Sequence, residues 1–308
     1  MSVAFVESLL SATVRVGTPL LLAALGELYA ERSGVLNLGV EGMMIMGAFM
    51  GFYITYVTKN LVLAALFAAL AGALIALIHA FLTVTLRANQ IVSGLAIVIF
   101  GLGLSGFLGR PYTGLRVPTF KPVPIPFLSD VPILRAFFRQ DPIAYLSYAL
   151  VPLLWFILFR TTVGLSVRSV GESPETADTM GVNVYLVRYA CTIFGGALAG
   201  LAGAYLTLVC MPKWIYGVTA GRGWIALVLV IVSAWSPIYT IVSAYLFGGL
   251  SVLYFRLAGL KVSPWLLQTV PYVAAIVALA LMSVVSAKLR RRIGAPAALT
   301  KPYAREEY

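Results

Sequence analysis

The sequence predicts an all-α bundle of about eight to ten transmembrane helices, with at least one helix broken inside the bilayer. Three observations point there. Of 308 residues, 61% are hydrophobic and only 11% are charged. Mean hydropathy is +0.96, whereas an ordinary soluble domain carries about 25% charged residues. The apolar residues also come in long runs, not in the alternating ten-residue segments of an outer-membrane barrel. Twenty-two basic and 11 acidic side chains cannot cover a water-facing surface of this size. A disordered chain and a soluble enzyme are therefore excluded.

Taken in order, the apolar runs place candidate spans near 8–29, 35–57, 61–86, 90–109, 143–160, 185–208, 217–236, 238–260 and 265–287. Residues 1–13 carry no basic n-region and no small-residue cleavage site follows, so the first span is expected to be retained. Arg15 softens the bounds of the first span and Glu41 those of the second. Three polar stretches interrupt the runs within one transmembrane domain, 1–308. Residues 110–142 hold seven of the 16 prolines. Residues 161–184 are of mixed polarity, and residues 287–308 form a basic tail with Lys288, Arg290, Arg291, Arg292, Lys301 and Arg305. Basic residues beside a span mark the cytoplasmic side, which puts the tail inside. Nine crossings then put the N-terminus and the 110–142 loop outside and the 161–184 loop inside; eight or ten would put the N-terminus inside. The outer loop runs against its charge, because Arg110, Arg116, Lys121, Arg135 and Arg139 face only Asp130 and Asp141 there. The charge rule weakens for longer loops, and the flanking spans decide the assignment.

The net charge of +11 sits beside spans and in loops, so nucleic acid is not an expected partner. Cys191 and Cys210 give no disulfide framework, and His79 alone builds no metal site. Gly47/Gly51 and Gly196/Gly200 are small-xxx-small pairs that let helices approach closely. Gly101-x-Gly103-x-x-Gly106 matches the dinucleotide fingerprint but lies within a span with no strand before it, and reads as helix packing. No P-loop occurs, so no ATP, magnesium or other cofactor is expected in this chain, and no catalytic residue.

Polar groups inside spans are costly and carry the functional expectations. Between Gly26 and Gly42 lie four glycines with Glu27, Glu31 and Glu41, a composition suited to a broken or re-entrant helix lining an aqueous cavity. If residues 36–46 are helical, Asn37 and Glu41 share one face and can meet sugar hydroxyls. The alternative is that Glu41 bonds backbone amides at the helix break and Glu31 pairs with Arg32. Asn89, Gln90 and Ser93 form a second polar group facing the pathway, although Asn89 serves equally well as a helix cap. Trp224, in Gly221-Arg222-Gly223-Trp224, offers a face for a flat base or belongs to an interfacial belt.

In the inner loop, Ser173 is an N-cap, Pro174 suits the first helical position, Glu175 and Asp178 suit the positive helix end, and Gly181 is a stop. A helix of about two turns follows. Glu175-Thr176-Ala177, with Gly181 four residues on, resembles the EAA-x3-G signature of ATP-binding cassette (ABC) importer permeases, with Thr176 in place of an alanine. The segment from Glu31 to Met43 resembles the second-span motif of the nucleoside and simple-sugar branch of the ribose and branched-chain amino acid permeases, as does the segment Gly221–Leu227. Residues 233–238 lack the glycine-rich turn of the ribose relatives, which places the chain away from them.

The resemblance implies a transport subunit, not an enzyme, in the bacterial cytoplasmic membrane. A separate ABC ATPase would receive Glu172, Ser173, Pro174, Glu175, Thr176, Ala177, Met180 and Gly181. A second permease chain, identical or not, would share the pathway. An extracytoplasmic substrate-binding protein would meet Arg110, Arg116, Lys121, Arg135 and Arg139. The cargo expected is a nucleoside or simple sugar, on Asn37, Glu41, Asn89, Gln90, Ser93 and Trp224. The competing reading is a proton- or ion-coupled secondary transporter with Glu41 as the proton carrier; a membrane-embedded enzyme lacks the paired acids it would need.

Overall fold

The computed structural model describes residues 3–257, 269–284 and 294–305. Lys288, Arg290, Arg291 and Arg292 of the tail, and residues 265–268 and 285–287 of the expected 265–287 span, lie outside the described residues. Helices make up nearly all the regular structure. α1 is Val3–Arg32, α2 Val40–Thr58, α3 Leu61–Ala80 and α4 Gln90–Gly109. The loop after α4 holds a four-residue turn of helix, α5 (Arg135–Phe138), and a two-residue antiparallel pair, Val123–Pro124 with Arg139–Gln140. Then come α6 (Pro142–Arg160), α7 (Thr162–Glu172), α8 (Pro174–Thr179), α9 (Val184–Tyr205), α10 (Arg222–Val232), α11 (Pro237–Leu257) and α12 (Val270–Val284). Six of these helices are long and apolar enough to cross a membrane, and α10, Pro237–Leu253 of α11 and Tyr272–Leu281 of α12 are shorter apolar segments. The chain is a multi-pass membrane protein.

Local sequence explains most helix starts. Asn60, Asn89, Asp141, Ser173 and Asn183 each accept a hydrogen bond from the first turn of the helix they precede, and Pro142 and Pro174 stand where the missing N–H costs nothing. Pro19 lies inside α1 without ending it. The carbonyl it frees, that of Arg15, accepts the Cys210 thiol instead, as a backbone group in lipid must.

α1, α2 and α9 form the buried centre, with α3, α4, α6 and α11 around them. The small-xxx-small pairs set the closest crossings. Gly47 of α2 lies on Gly200 of α9, whose other side meets Ala68 and Gly72 of α3. Without side chains at these points the backbones come into van der Waals contact, which is the main source of attraction between helices in lipid. The outer helices keep apolar residues such as Leu66, Leu74, Ile99 and Phe156 exposed, as lipid-facing surfaces require.

The two ends of the bundle differ. One gathers the N-terminus and the 110–141 loop, where Arg135 pairs with Glu7 at 3.6 Å. The other gathers the end of α1, α7, α8 and residues 294–305, where the Ala298 N–H donates to the Gly171 carbonyl.

Two expectations need correction. Residues 217–236 are not one span: α10 has 11 residues, about 16 Å at 1.5 Å per residue, roughly half the hydrocarbon core. Non-helical chain precedes it, and Ala234 and Trp235, both at φ +53°, end it. The helix of residues 36–46 begins only at Val40. Asn37 therefore lies in the connector, where its side-chain oxygen accepts the Gly39 N–H at 3.0 Å. A side chain that offers the backbone this turn competes with the helix, so Asn37 and Glu41 do not share a helical face.

Candidate translocation and coupling sites

The connector 33–39 is irregular backbone buried between helices. Each polar group of its peptides must find a partner within the protein, and polar side chains from three helices supply them. The Asn37 N–H donates to Glu27 Oε1 of α1 at 2.9 Å, and the Leu36 N–H donates to Gln90 Oε1 of α4 at 2.7 Å. His79 of α3 lies 3.2 Å from the Leu36 carbonyl through Nε2 and 3.0 Å from Ser93 Oγ through Nδ1. A carbonyl only accepts, so Nε2 carries the proton there. Three predicted residues, Asn37, Gln90 and Ser93, thus come together around one buried irregular connector. Asn89 stays apart, exposed, capping α4 through bonds from the Ile91 and Val92 N–H groups.

Glu41, on the first turn of α2, turns its carboxylate onto the start of α10. Oε1 accepts from Thr219 Oγ1 at 2.5 Å and from the Gly221 N–H at 2.9 Å, and Oε2 accepts from the Gly223 N–H at 2.6 Å. A carboxylate at a helix N-terminus meets unpaired N–H groups and the positive end of the helix dipole. Gly223 permits the approach, because a Cβ there would lie 2.6 Å from the Glu41 Cα. Trp224 is half-buried on the same turn of α10. The backbone amides that engage Glu41 belong to a break 180 residues away in sequence, not to the break in its own neighbourhood.

The other end of α10 is held as closely. The buried Glu31 carboxylate accepts from Trp235 Nε1. The Arg32 guanidinium donates to the Trp235 carbonyl at 3.1 and 3.0 Å. Glu31 and Arg32 grip opposite ends of one residue instead of each other. Trp235→Phe should keep most of the packing but leave Glu31 without its donor, at a cost of about 1–3 kcal/mol. Thermal unfolding of the purified protein checks this; a variant as stable as its parent would mean that Glu31 has another partner.

α7 and α8 form an elbow at the same end. Ser173 Oγ accepts from the Thr176 N–H at 3.4 Å, the Ala177 side chain is buried, and Gly181 ends the turn at φ +85°. Glu175, Thr176 and Gly181 are exposed, as is Met180. Pro174 is buried at the joint, and the exposed Glu172 accepts there from the Ala297 N–H through Oε2 at 3.4 Å.

At the opposite end, Arg110, Arg116, Lys121 and Arg139 are exposed, whereas Arg135 is half-buried and already bonded to Glu7 and the Ser129 carbonyl. Arg15, Arg135 and Arg139 line a cavity of about 510 Å³ with Glu7, Ser8 and Ser11. Sequence reasoning left Glu27, His79, Thr219 and Trp235 without roles. Each is a polar atom in an apolar run, and that is the signal which marks it for an internal partner.

The chain matches the family model described as the branched-chain amino acid transport system / permease component over residues 9–286. It is 41% identical to the putative glucose ABC transporter permease protein TsgC13 of Haloferax volcanii, over 98% of this chain and 99% of that one. It is 36% identical to the nucleoside ABC transporter permease protein NupC of Lactococcus lactis, over 86% and 88%. It is 40% identical to the guanosine ABC transporter permease protein NupQ of Bacillus subtilis, over 77% and 78%. With a capped elbow at one end, a buried irregular connector within the bundle and full-length likeness to such proteins, this chain belongs to the branched-chain amino acid transport system permease family.

Proposed function

We propose that this chain is one membrane subunit of an ABC importer that carries nucleosides, or simple sugars, into the cell, with ATP and magnesium bound and hydrolysed by a separate subunit. The observation that carries the reading is α8. A short, fully capped helix presenting Glu175, Thr176 and Met180 to solvent is a rigid knob for a partner. It joins directly to α7 and thereby to the end of α1. A second permease chain completes the pathway, and a substrate-binding protein docks on the other face. In this reading the elbow and residues 294–305 face the cytoplasm and the 110–141 loop faces outward, in the cytoplasmic membrane of a bacterium. The four exposed cations Arg110, Arg116, Lys121 and Arg139 then steer the binding protein's carboxylates, acting on docking rate and orientation. The ends of the buried connector and of α10 flank the cargo's route, with Trp224 as the flat surface.

The test is on the knob. Gly181 has φ +85° and no atom near a Cβ built on it, and aspartate tolerates that conformation better than most residues. Gly181→Asp and Glu175→Lys should therefore insert and purify normally, yet reduce ATP-driven uptake in proteoliposomes at least tenfold. Undiminished uptake in both variants would reject α8 as the ATPase contact. Parallel assays with labelled guanosine and glucose assign the cargo. The proton-coupled alternative predicts uptake that survives without the ATPase; the engagement of the Glu41 carboxylate by three donors of the 219–223 turn speaks against that role.

A further inference from the structure

We propose that residues 294–305 act as a strap that binds the α7–α8 elbow to α1 and α9, so that a push on α8 moves the bundle instead of bending the elbow. The proposal rests on reading α8 as the ATPase contact, and it adds the element that stiffens it.

The strap crosses the elbow from joint to tip. At the joint, the Ala298 N–H donates to the Gly171 carbonyl at 2.9 Å and the Ala297 N–H reaches Glu172 Oε2 at 3.4 Å. Gly171 is squeezed between the strap and α1: a Cβ there would fall on the Arg32 carbonyl and lie 3.3 Å from Pro296 Cβ. Further along, Arg188 of α9 donates to the Lys301 carbonyl at 3.2 Å. Tyr303 is then buried in a cluster with Val170 of α7, Ala177 of α8 and Val184 of α9, its ring 5.6 Å from that of Tyr185. At the tip, Arg305 meets Asp178 of α8 at 3.2 Å.

These contacts are not equal. The Arg305 side chain is 73% exposed, and such a pair contributes little. Tyr303, 4% exposed, shares a buried cluster with residues of all three helices and is the anchor. Arg188 is 1% exposed, and its Nε and Nη2 have no hydrogen-bond partner among the described residues. The strap therefore covers a buried cation of α9 and accepts its hydrogen bond. Lifting the strap would wet Arg188 and open the cluster in which Tyr303 joins residues of α7, α8 and α9.

A strap that merely stabilises the fold would change how much complex survives, not how it works. The readout that separates the two is solute carried per ATP hydrolysed, measured in the same proteoliposomes with the complete complex. Tyr303→Ala should hydrolyse ATP within about twofold of the parent while uptake per ATP falls at least fivefold, and Tyr303→Phe should keep the parental ratio. Arg305→Glu, which places like charges at the tip without touching the core, should lower the ratio about twofold and guards against a Tyr303→Ala protein that fails to assemble. Ratios at the parental value in both Tyr303→Ala and Arg305→Glu would overturn the strap, as would uptake and hydrolysis falling in strict proportion. A parental complex whose uptake ignores ATP would instead remove the reading of α8, and the strap with it.

Discussion

Replacing Glu41 with glutamine is expected to unseat α10 and stop transport together. Three donors, Thr219 Oγ1 and the Gly221 and Gly223 N–H groups, converge on its two oxygens. An amide keeps one oxygen and turns the other into a donor, so at least one N–H or O–H meets another N–H. The loss combines a hydrogen bond to a charged group with an unsatisfied buried donor, about 2–4 kcal/mol in all. For a chain of this size that corresponds to a fall of roughly 3–6 °C in Tm, read by thermal unfolding in detergent, with uptake lost in parallel. Glu41→Ala strands all three donors and should be worse. A glutamine variant that melts like its parent but does not transport would show that the carboxylate acts on cargo instead of on α10. If it both melts and transports normally, Glu41 is dispensable.

Gly200→Leu should prevent assembly of the bundle altogether. Ordinary overpacking of a core costs about 1–3 kcal/mol because neighbouring side chains can shift. At Gly200 the neighbours are backbone: the Ala68 carbonyl and Gly72 of α3 on one side, with Gly47 of α2 on the other. Three helix axes would have to separate, and close backbone packing of this kind is what holds helices together in lipid. Gly103 is the control, since a Cβ there meets nothing within 4 Å. Gly103→Leu should extract as a monodisperse protein, whereas Gly200→Leu should aggregate or be degraded. Size-exclusion profiles of detergent extracts decide it, and a monodisperse Gly200→Leu protein would refute the packing account.

The pair also shows how much of a motif is legible. Gly101 and Gly103 belong to the same glycine pattern in α4, yet Gly101 lies against Gly42 of α2 and Gly103 against open space. The sequence indicates that such glycines serve packing; only the neighbouring helix says which ones. The capped helices were legible because Asn89, Ser173–Pro174 and Gly181 act within one turn of themselves. The span boundaries were legible to within a few residues wherever a run was apolar throughout. The half-length α10 was not, because hydropathy averages over 217–236 and does not see that the first residues are non-helical. Asn37 was misplaced for a similar reason: its alternative bond to Gly39 is as local as a helix, and propensity does not rank the two.

The sequence by itself determined that this chain lives in a membrane as helices, that one stretch near residues 26–42 is broken, and that a capped knob stands between two spans. Those features follow from the free energy of moving each residue type into lipid and from bonds spanning a few residues. The tertiary structure decided the partners of the buried polar groups: Glu41 with a turn near residue 221, Glu31 with Trp235, and His79 with Leu36. In a medium without water each of those groups must be satisfied by whatever the fold brings within hydrogen-bonding distance, and proximity between residues far apart in the chain is a property of the packed bundle.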